Sequence, residues 1–346
     1  MLFHSRLRRA LSLLDRYGSA ESAWAAVDEP EKAAVMARAE KEWEWIQAHD
    51  IRVLTQDDEA YPYRLRNCPD RPFLLYTKGH VCPSEGHIVS IVGTRRPTER
   101  GKELTAALVR DLADRLEHVT IVSGGAYGID IAAHRAALEA GIPTIIVPAH
   151  GLDRIYPITH RPEAVASLAK GGLLTEYPSG TEPIQSNFVR RNRIVAGLAD
   201  AVVVVESHAR GGSLITARMA NDYGKPIFAF PGRPNDPASE GCNDLIRGGR
   251  ARLITGADHL IEAMEWKTRK SASEGMQTSL IGLMDNLTKE QQIILAKLQE
   301  AEEGMHINLI VMETGLAYGE VASELTMLEI EGLVRALPGG IYLKNL

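Results

Sequence analysis

Cysteine is scarce in this 346-residue chain: Cys68, Cys82 and Cys242 stand far apart, odd in number and in no CxxC spacing. That argues against a disulfide framework and against a zinc site, and it fits a reducing cytoplasm. No run of about 18 apolar residues occurs, so no membrane-spanning helix is expected. The N-terminal stretch MLFHSRLRRALSLLDRYG carries Arg6, Arg8, Arg9, Asp15 and Arg16 within its apolar residues, which suits an amphipathic helix and not a signal segment. Basic charge is not in excess either. The formal net charge of -6 argues against a protein that coats nucleic acid through bulk charge, but leaves room for a local groove of a few arginines. Two familiar phosphate signatures, GxGxxG and a Walker loop ending in Gly-Lys-Ser/Thr, are missing, which weakens nicotinamide and nucleoside-triphosphate readings.

What is present falls into segments. Residues 1–55 have a helical pattern: Leu7, Leu11, Leu14 and Trp24 recur at helical spacing, Ser19 and Ser22 cap SAESAWAAV, and EKAAVMARAEKEWEWIQAH runs to His49. A small helical module of the SAM or helix-hairpin-helix kind is expected there. Residues 56–266 change character. The apolar runs Ile88–Val92, Val119–Val122, Thr144–Val147, Leu173–Thr175, Ala201–Val205 and Ile227–Phe230 alternate with helical runs such as GKELTAALVRDLADRL and GIDIAAHRAALEAG. Continuously apolar strands separated by helices predict an α/β domain with a Rossmann-like, doubly wound parallel sheet. Residues 267–285 read as a charged, Ser/Gly-rich linker. Residues 286–346 predict three helices and a Pro-Gly-Gly hairpin, LVRALPGGIYLK, together a winged-helix-like domain.

Four strand-to-helix loops carry the chemistry. In IVSIVGTRRPTERG, Gly93 lets a phosphate approach the backbone, and Arg95 adds a bidentate charge; the plain alternative is a turn with solvated arginines. In VTIVSGGAYGID, Gly124 and Gly125 form a nest of backbone N–H groups, and the Ser123 hydroxyl is a further donor. Asp130 there either orients the loop or touches a ribose; a plain helix first-turn carboxylate is favoured over a ligand contact. In SNFVRRNRIVAGL, Arg190, Arg191 and Arg193 surround Asn192, and a neighbouring aromatic suits a backbone with stackable bases, although Phe188 itself reads as a core side chain. In VVVESHARGGSLITA, Glu206, the Gly211–Gly212 pair and Ser213 repeat the cradle pattern. No catalytic constellation and no metal set emerges. His134 and His150 read as structural.

Taken in order, VGTRRPTERG, SGGAYGIDIAAH, Tyr156-Pro157, GGLLTEYP, FVRRNRIVAGL, ESHARGGSLITA, FAFPG and EGCNDLI resemble the DNA-processing protein A (DprA/Smf) family over most of the chain. The resemblance implies a non-enzymatic, cofactor-free, cytoplasmic protein that binds single-stranded DNA. It implies dimerisation through the Rossmann-like core, protection of incoming DNA and loading of the RecA recombinase during natural transformation. It assigns the pocket arginine to Arg95, the phosphate loop to Ser123, Gly124 and Gly125, and the family's RNR motif to Arg191, Asn192 and Arg193. With Gly93, Phe188, Arg190, Gly212 and Ser213 these make up the expected DNA-binding set. Three features depart from the family pattern: Phe188-Val189 replaces Phe-Pro, Gln185 stands where many members have lysine, and the turn Pro148-Ala149-His150-Gly151 is poorer in glycine. The competing readings are a phosphoribohydrolase-like enzyme on nucleoside monophosphates and a nucleotide-sensing module. Against the first, GGSLITARMA has the glycines and Thr216 of a PGGxGTxxE signature but no following glutamate. From Asn286 onward four basic residues stand against nine glutamates, and the expected recognition helix carries Glu320, Glu324 and Glu329 with no base. Phosphate would be repelled there, so a protein-contact or structural role is expected for the winged helix.

Overall fold

The structure is a computed structural model that describes residues 12–14, 16–26, 32–81, 84–269, 287–299, 301, 304–330 and 333–344. Most of the expected first helix, Cys82 and the linker from residue 270 onward lie outside the described residues. The chain divides into two compact units, Met1–Thr268 and Arg269–Leu346.

In the first unit α1 (Ala20–Ala26) and α2 (Lys32–Ala48) precede the sheet. Ser19 Oγ accepts from the Ser22 amide at 3.1 Å, which is the capping contact expected from the sequence. The sheet contains β1 (Arg52–Thr55), β2 (Leu74–Gly79), β3 (His87–Val92), β4 (Val119–Ser123), β5 (Thr144–Ile146), β6 (Gly172–Thr175), β7 (Ala201–Val204), β8 (Ile227–Ala229) and β9 (Arg252–Leu253). Their spatial order is β1-β2-β6-β5-β4-β3-β7-β8-β9. From β6 across to β9 every pairing is parallel. The sheet as a whole is mixed, however, because β2 runs antiparallel to β6 and β1 antiparallel to β2. All six strands expected from the sequence are present. The additions β1, β2 and β9 lie at or near the two edges, and Arg52–Thr55 joins the sheet although it falls within the segment assigned to the helical module.

Alternation along the central strands builds two cores. Ile88, Val92, Val122, Val202 and Val204 face one side, while Val89, Ile91, Ile121, Ala201 and Val203 face the other. Helices cover the first side: α3 (Tyr63–Arg66), α7 (Gln185–Leu198), α8 (Ser213–Asp222) and α9 (Glu240–Arg247). On the second side lie α4 (Glu99–Arg115), α5 (Ile129–Glu139) and α10 (Ala257–Ala263). The remaining helix, α6 (Arg161–Ser167), packs beside β5 and β6. Ser90, in the middle of β3, is fully buried and donates to the Val195 carbonyl at 2.6 Å, so burying it leaves no unmet donor.

The second unit contains α11 (Lys289–Gln299), β10 (Met305–His306), α12 (Ile307–Thr314), α13 (Tyr318–Ile330), β11 (Val334–Leu337) and β12 (Ile341–Lys344). The expected hairpin β11–β12 gains a third strand, since β10 pairs with β12. Ile294, Ile310, Val321, Leu325 and Leu328 form its core. Three helices and a three-stranded wing make a winged helix.

Candidate nucleic-acid interface

The strand order reverses at β3: β4 lies on one side of it and β7 on the other. In an open α/β sheet the crevice forms at the carboxyl ends of the strands at such a point. A cleft of about 540 Å³ lies there. Gly93 and Arg95 line it after β3, Gly124 after β4, Phe188, Arg191 and Asn192 on α7, and Gly211, Gly212 and Ser213 at the start of α8. The loop after β3 is fixed by Glu206, two residues past β7. This buried carboxylate accepts from the Thr98 amide at 2.9 Å and the Thr98 hydroxyl at 2.5 Å, and Thr98 caps α4 through the Gly101 amide.

Arg95 is exposed, and its guanidinium carbon lies 5.2 Å from the centre of the Phe188 ring. That of Arg191 lies at 6.0 Å, and the Tyr156 ring approaches Phe188 at 5.9 Å. Phe188 is therefore a wall of the cleft, not a core side chain as its surroundings in the sequence suggested. An accessible cation over an aromatic face offers both a phosphate contact and a stacking surface.

The glycine loop is held from below. Arg191 is buried and donates through Nη1 to the carbonyl oxygens of Gly124 and Val147. The Asp130 carboxylate, also buried, accepts from the Gly124 amide at 3.2 Å, so of the readings open to it from sequence it orients the loop. Burial raises the Asp130 pKa, against the pull of Arg191 and of the Ala126 and Gly124 amides. Burial likewise lowers that of Arg191 to about 10, which leaves it a cation at neutral pH. His160 Nδ1 donates to the Gly125 carbonyl at 2.9 Å.

Several expected contacts face elsewhere. The Ser123 hydroxyl is fully buried and donates to the Ile91 carbonyl at 2.6 Å, so it is not available to a phosphate. Gly125 is buried behind Gly124 and does not line the cleft. The Ser213 hydroxyl donates inward to Ser207 Oγ at 2.8 Å. The helical repeat splits the arginine cluster: Phe188, Arg191, Asn192 and Val195 fall on one face of α7, while Arg190 and Arg193 fall off it. Arg193 is buried on the far face, 2.6 Å from Glu176 and 3.9 Å from Asp70. Burial raises the Glu176 pKa against the Arg193 charge.

The histidines are structural. His134 Nδ1 donates to Thr144 Oγ1 at 2.7 Å, since that hydroxyl itself donates to the Ile121 carbonyl. His150 Nδ1 donates to the Gly151 carbonyl, and its Nε2 accepts from the Tyr156 amide. Among the described residues no three His, Cys, Asp or Glu side chains are grouped to hold a metal ion. No described helix is long and apolar enough to cross a membrane. Reasoning from sequence missed Val189, Ile215 and Thr94 as lining residues, and the aromatic Tyr156 beside Phe188. Tyr156 comes from a distant loop, which no local pattern reveals.

Residues 52–265 match the family described as DNA recombination-mediator protein A, and residues 284–340 match the DprA winged helix domain. The chain is 36% identical over 327 residues to Protein Smf of Synechocystis, covering 86% of this chain and 81% of that protein. DNA processing protein A from Streptococcus pneumoniae superposes with a TM-score of 0.63 at 32% identity, over 73% of this chain and 91% of that one. The corresponding protein from Helicobacter pylori, solved in a study of its single-stranded DNA binding mode, gives 0.55 at 35% identity, over 62% and 95%. A cleft at the β3 switch point, the ordered loop motifs and these two matched domains together place this chain in the DNA recombination-mediator protein A (DprA/Smf) family.

Proposed function

We propose that the cleft binds single-stranded DNA and that the protein uses this grip to protect an incoming strand and load the RecA recombinase on it during natural transformation, acting as a homodimer. The observation that carries the binding step is Arg95 stacked over Phe188 at the cleft. A guanidinium for phosphate beside an aromatic face for an unpaired base suits single strands, because bases in a duplex already stack on one another. The relative from Helicobacter pylori supports the same ligand. Family membership is what supports the dimerisation, RecA and transformation parts of this reading. The phosphoribohydrolase-like alternative needs a free carboxylate in the site. Among the described lining residues the one carboxylate is Asp130, which is buried and engaged by the loop amide, so binding is favoured over hydrolysis. The decisive experiment is gel-shift binding to single and double strands beside a ribose-5-phosphate release assay. Single strands are expected to win, with a log–log salt slope of about −0.7 per phosphate contact. Equal affinity for a lone mononucleotide, or steady release of ribose 5-phosphate, would sink this reading.

A further inference from the structure

The surface stays concave and basic on the far side of Arg95. A second hollow of about 780 Å³ is lined there by Arg96, Lys102, Tyr127, Arg135 and His160, and Arg95 is the residue it shares with the first cleft. Arg95 is held in this shared position by close backbone packing. A Cβ added at Gly128 would stand 2.2 Å from the Thr94 carbonyl oxygen and 2.7 Å from Arg95 Cα, and the Ile129 amide donates to that same carbonyl at 3.2 Å.

Tyr127 precedes this glycine and is 48% exposed. Its ring meets that of His160 edge-on at 4.9 Å and 72°, and buried His160 is the residue that holds the Gly125 carbonyl. The tyrosine is thus braced by the loop behind the first cleft while about half its surface is open. No carboxylate is among the described lining residues of the hollow. Lys102 and Arg135 pair with Glu99 and Glu163, both at 2.7 Å, whereas Arg96 is exposed with no side-chain partner among the described residues.

We propose that this second hollow is a further subsite for single-stranded nucleic acid: the strand leaves the first cleft past Arg95, sets its next phosphates against Arg95 and Arg96, and stacks an unpaired base on Tyr127. The proposal rests on the single-strand reading of the first cleft. The chemistry repeats that of Arg95 and Phe188, a cation beside an open aromatic ring, and stacking of this kind tolerates any base.

The test is anisotropy binding of the full chain to labelled oligothymidylates of ~5 and ~20 nucleotides, lengths that bracket one and several contact sites. Tyr127→Ala is expected to weaken the long strand roughly five- to tenfold and to spare the short one, while Tyr127→Phe, which keeps the ring, retains wild-type affinity for both. Arg96→Ala is expected to reduce the salt slope for the long strand by about 0.7 and leave the short strand unchanged. Equal losses at both lengths with Tyr127→Ala would assign the tyrosine to supporting the glycine loop and overturn the subsite; unchanged affinity at both lengths would overturn it too. Arg95→Ala separates the two readings. It weakens both lengths if the first cleft holds DNA, and an absence of effect on either refutes the first cleft itself.

Discussion

The Arg191 guanidinium lies directly against Gly124: it donates to the Gly124 carbonyl, and a Cβ at that glycine would stand 2.4 Å from Nη2. Arg191 is 3% exposed, so its charge shapes the loop from within and Arg95 meets solvent in front of it. The two arginines therefore differ in what their removal does to salt dependence. Arg95→Ala is expected to weaken single-strand binding and reduce the log–log salt slope by about 0.7. Arg191→Ala is expected to weaken binding, lower the melting temperature and leave the slope per bound phosphate unchanged. Affinities at four or five salt concentrations, with a thermal melt of each variant, check both; a slope change with Arg191→Ala equal to that of Arg95→Ala would contradict the buried role.

Arg193 and Glu176 test the far face of α7. Both side chains are 5% exposed, and Arg193 Nη1 and Glu176 Oε1 have no hydrogen-bond partner among the described residues. Removing one member strands the other charge, so Arg193→Ala is expected to cost about 3–5 kcal/mol of stability. The double variant Arg193→Met/Glu176→Leu is expected to cost less than either single change, because no unpaired charge remains. Denaturant titration measures this, and the salt slope of DNA binding is expected to stay at the wild-type value throughout.

His134 makes stability depend on pH. Burial, with the nearby Arg191 and His160 charges, lowers its pKa to about 3, against 6.5 in the unfolded chain. Between these values the unfolded state binds a proton that the folded state refuses. Its stabilising contribution is therefore complete above pH 6.5 and is lost as the pH falls toward 3, at up to about 1.4 kcal/mol per pH unit. Asp130 and Glu176, whose folded values are raised, act in the opposite sense. The difference between wild type and His134→Gln isolates the histidine: the variant is expected to show the flatter acid limb in melts from pH 7 to pH 4. Parallel curves would refute it.

The winged helix is acidic. From Asn286 onward it holds four basic residues and nine glutamates, and Glu320, Glu324 and Glu329 lie on α13, where a winged helix would present a recognition surface to DNA. Phosphate would be repelled there. Deleting residues 286–346 is expected to change single-strand affinity by less than about twofold, a shift well within RT-scale energies. A tenfold loss in the same anisotropy assay would show that this unit contributes to DNA binding directly.

The central strands were legible because burial on both faces writes continuous apolar runs such as Ile88–Val92 and Ala201–Val205. β1 and β9 were not read, because Arg52–Thr55 buries Leu54 alone and Arg252–Leu253 is exposed, so neither carries such a run and both take strand form by pairing with a neighbour; β2, with Leu75, Tyr76 and Thr77 buried, was also passed over. The cleft residues Gly93, Arg95 and Gly124 were legible from strand-to-helix loops, since parallel strands bring such loops to one edge of the sheet.

The sequence by itself determined the α/β alternation, the glycine loops, the arginine-rich helix and the family. Only the tertiary structure decided which way each side chain serves. Ser123 and Ser213 turn their hydroxyls inward because buried hydroxyls must find acceptors. Phe188 turns outward, Arg191 props the loop and Arg193 pairs with Glu176, because the phase of one helix against a sheet with two cores sets neighbouring arginines on opposite faces. Successive residues are about 100° apart on a helix, and that rotation separates Arg191, under the glycine loop of the cleft, from Arg193 on the far face.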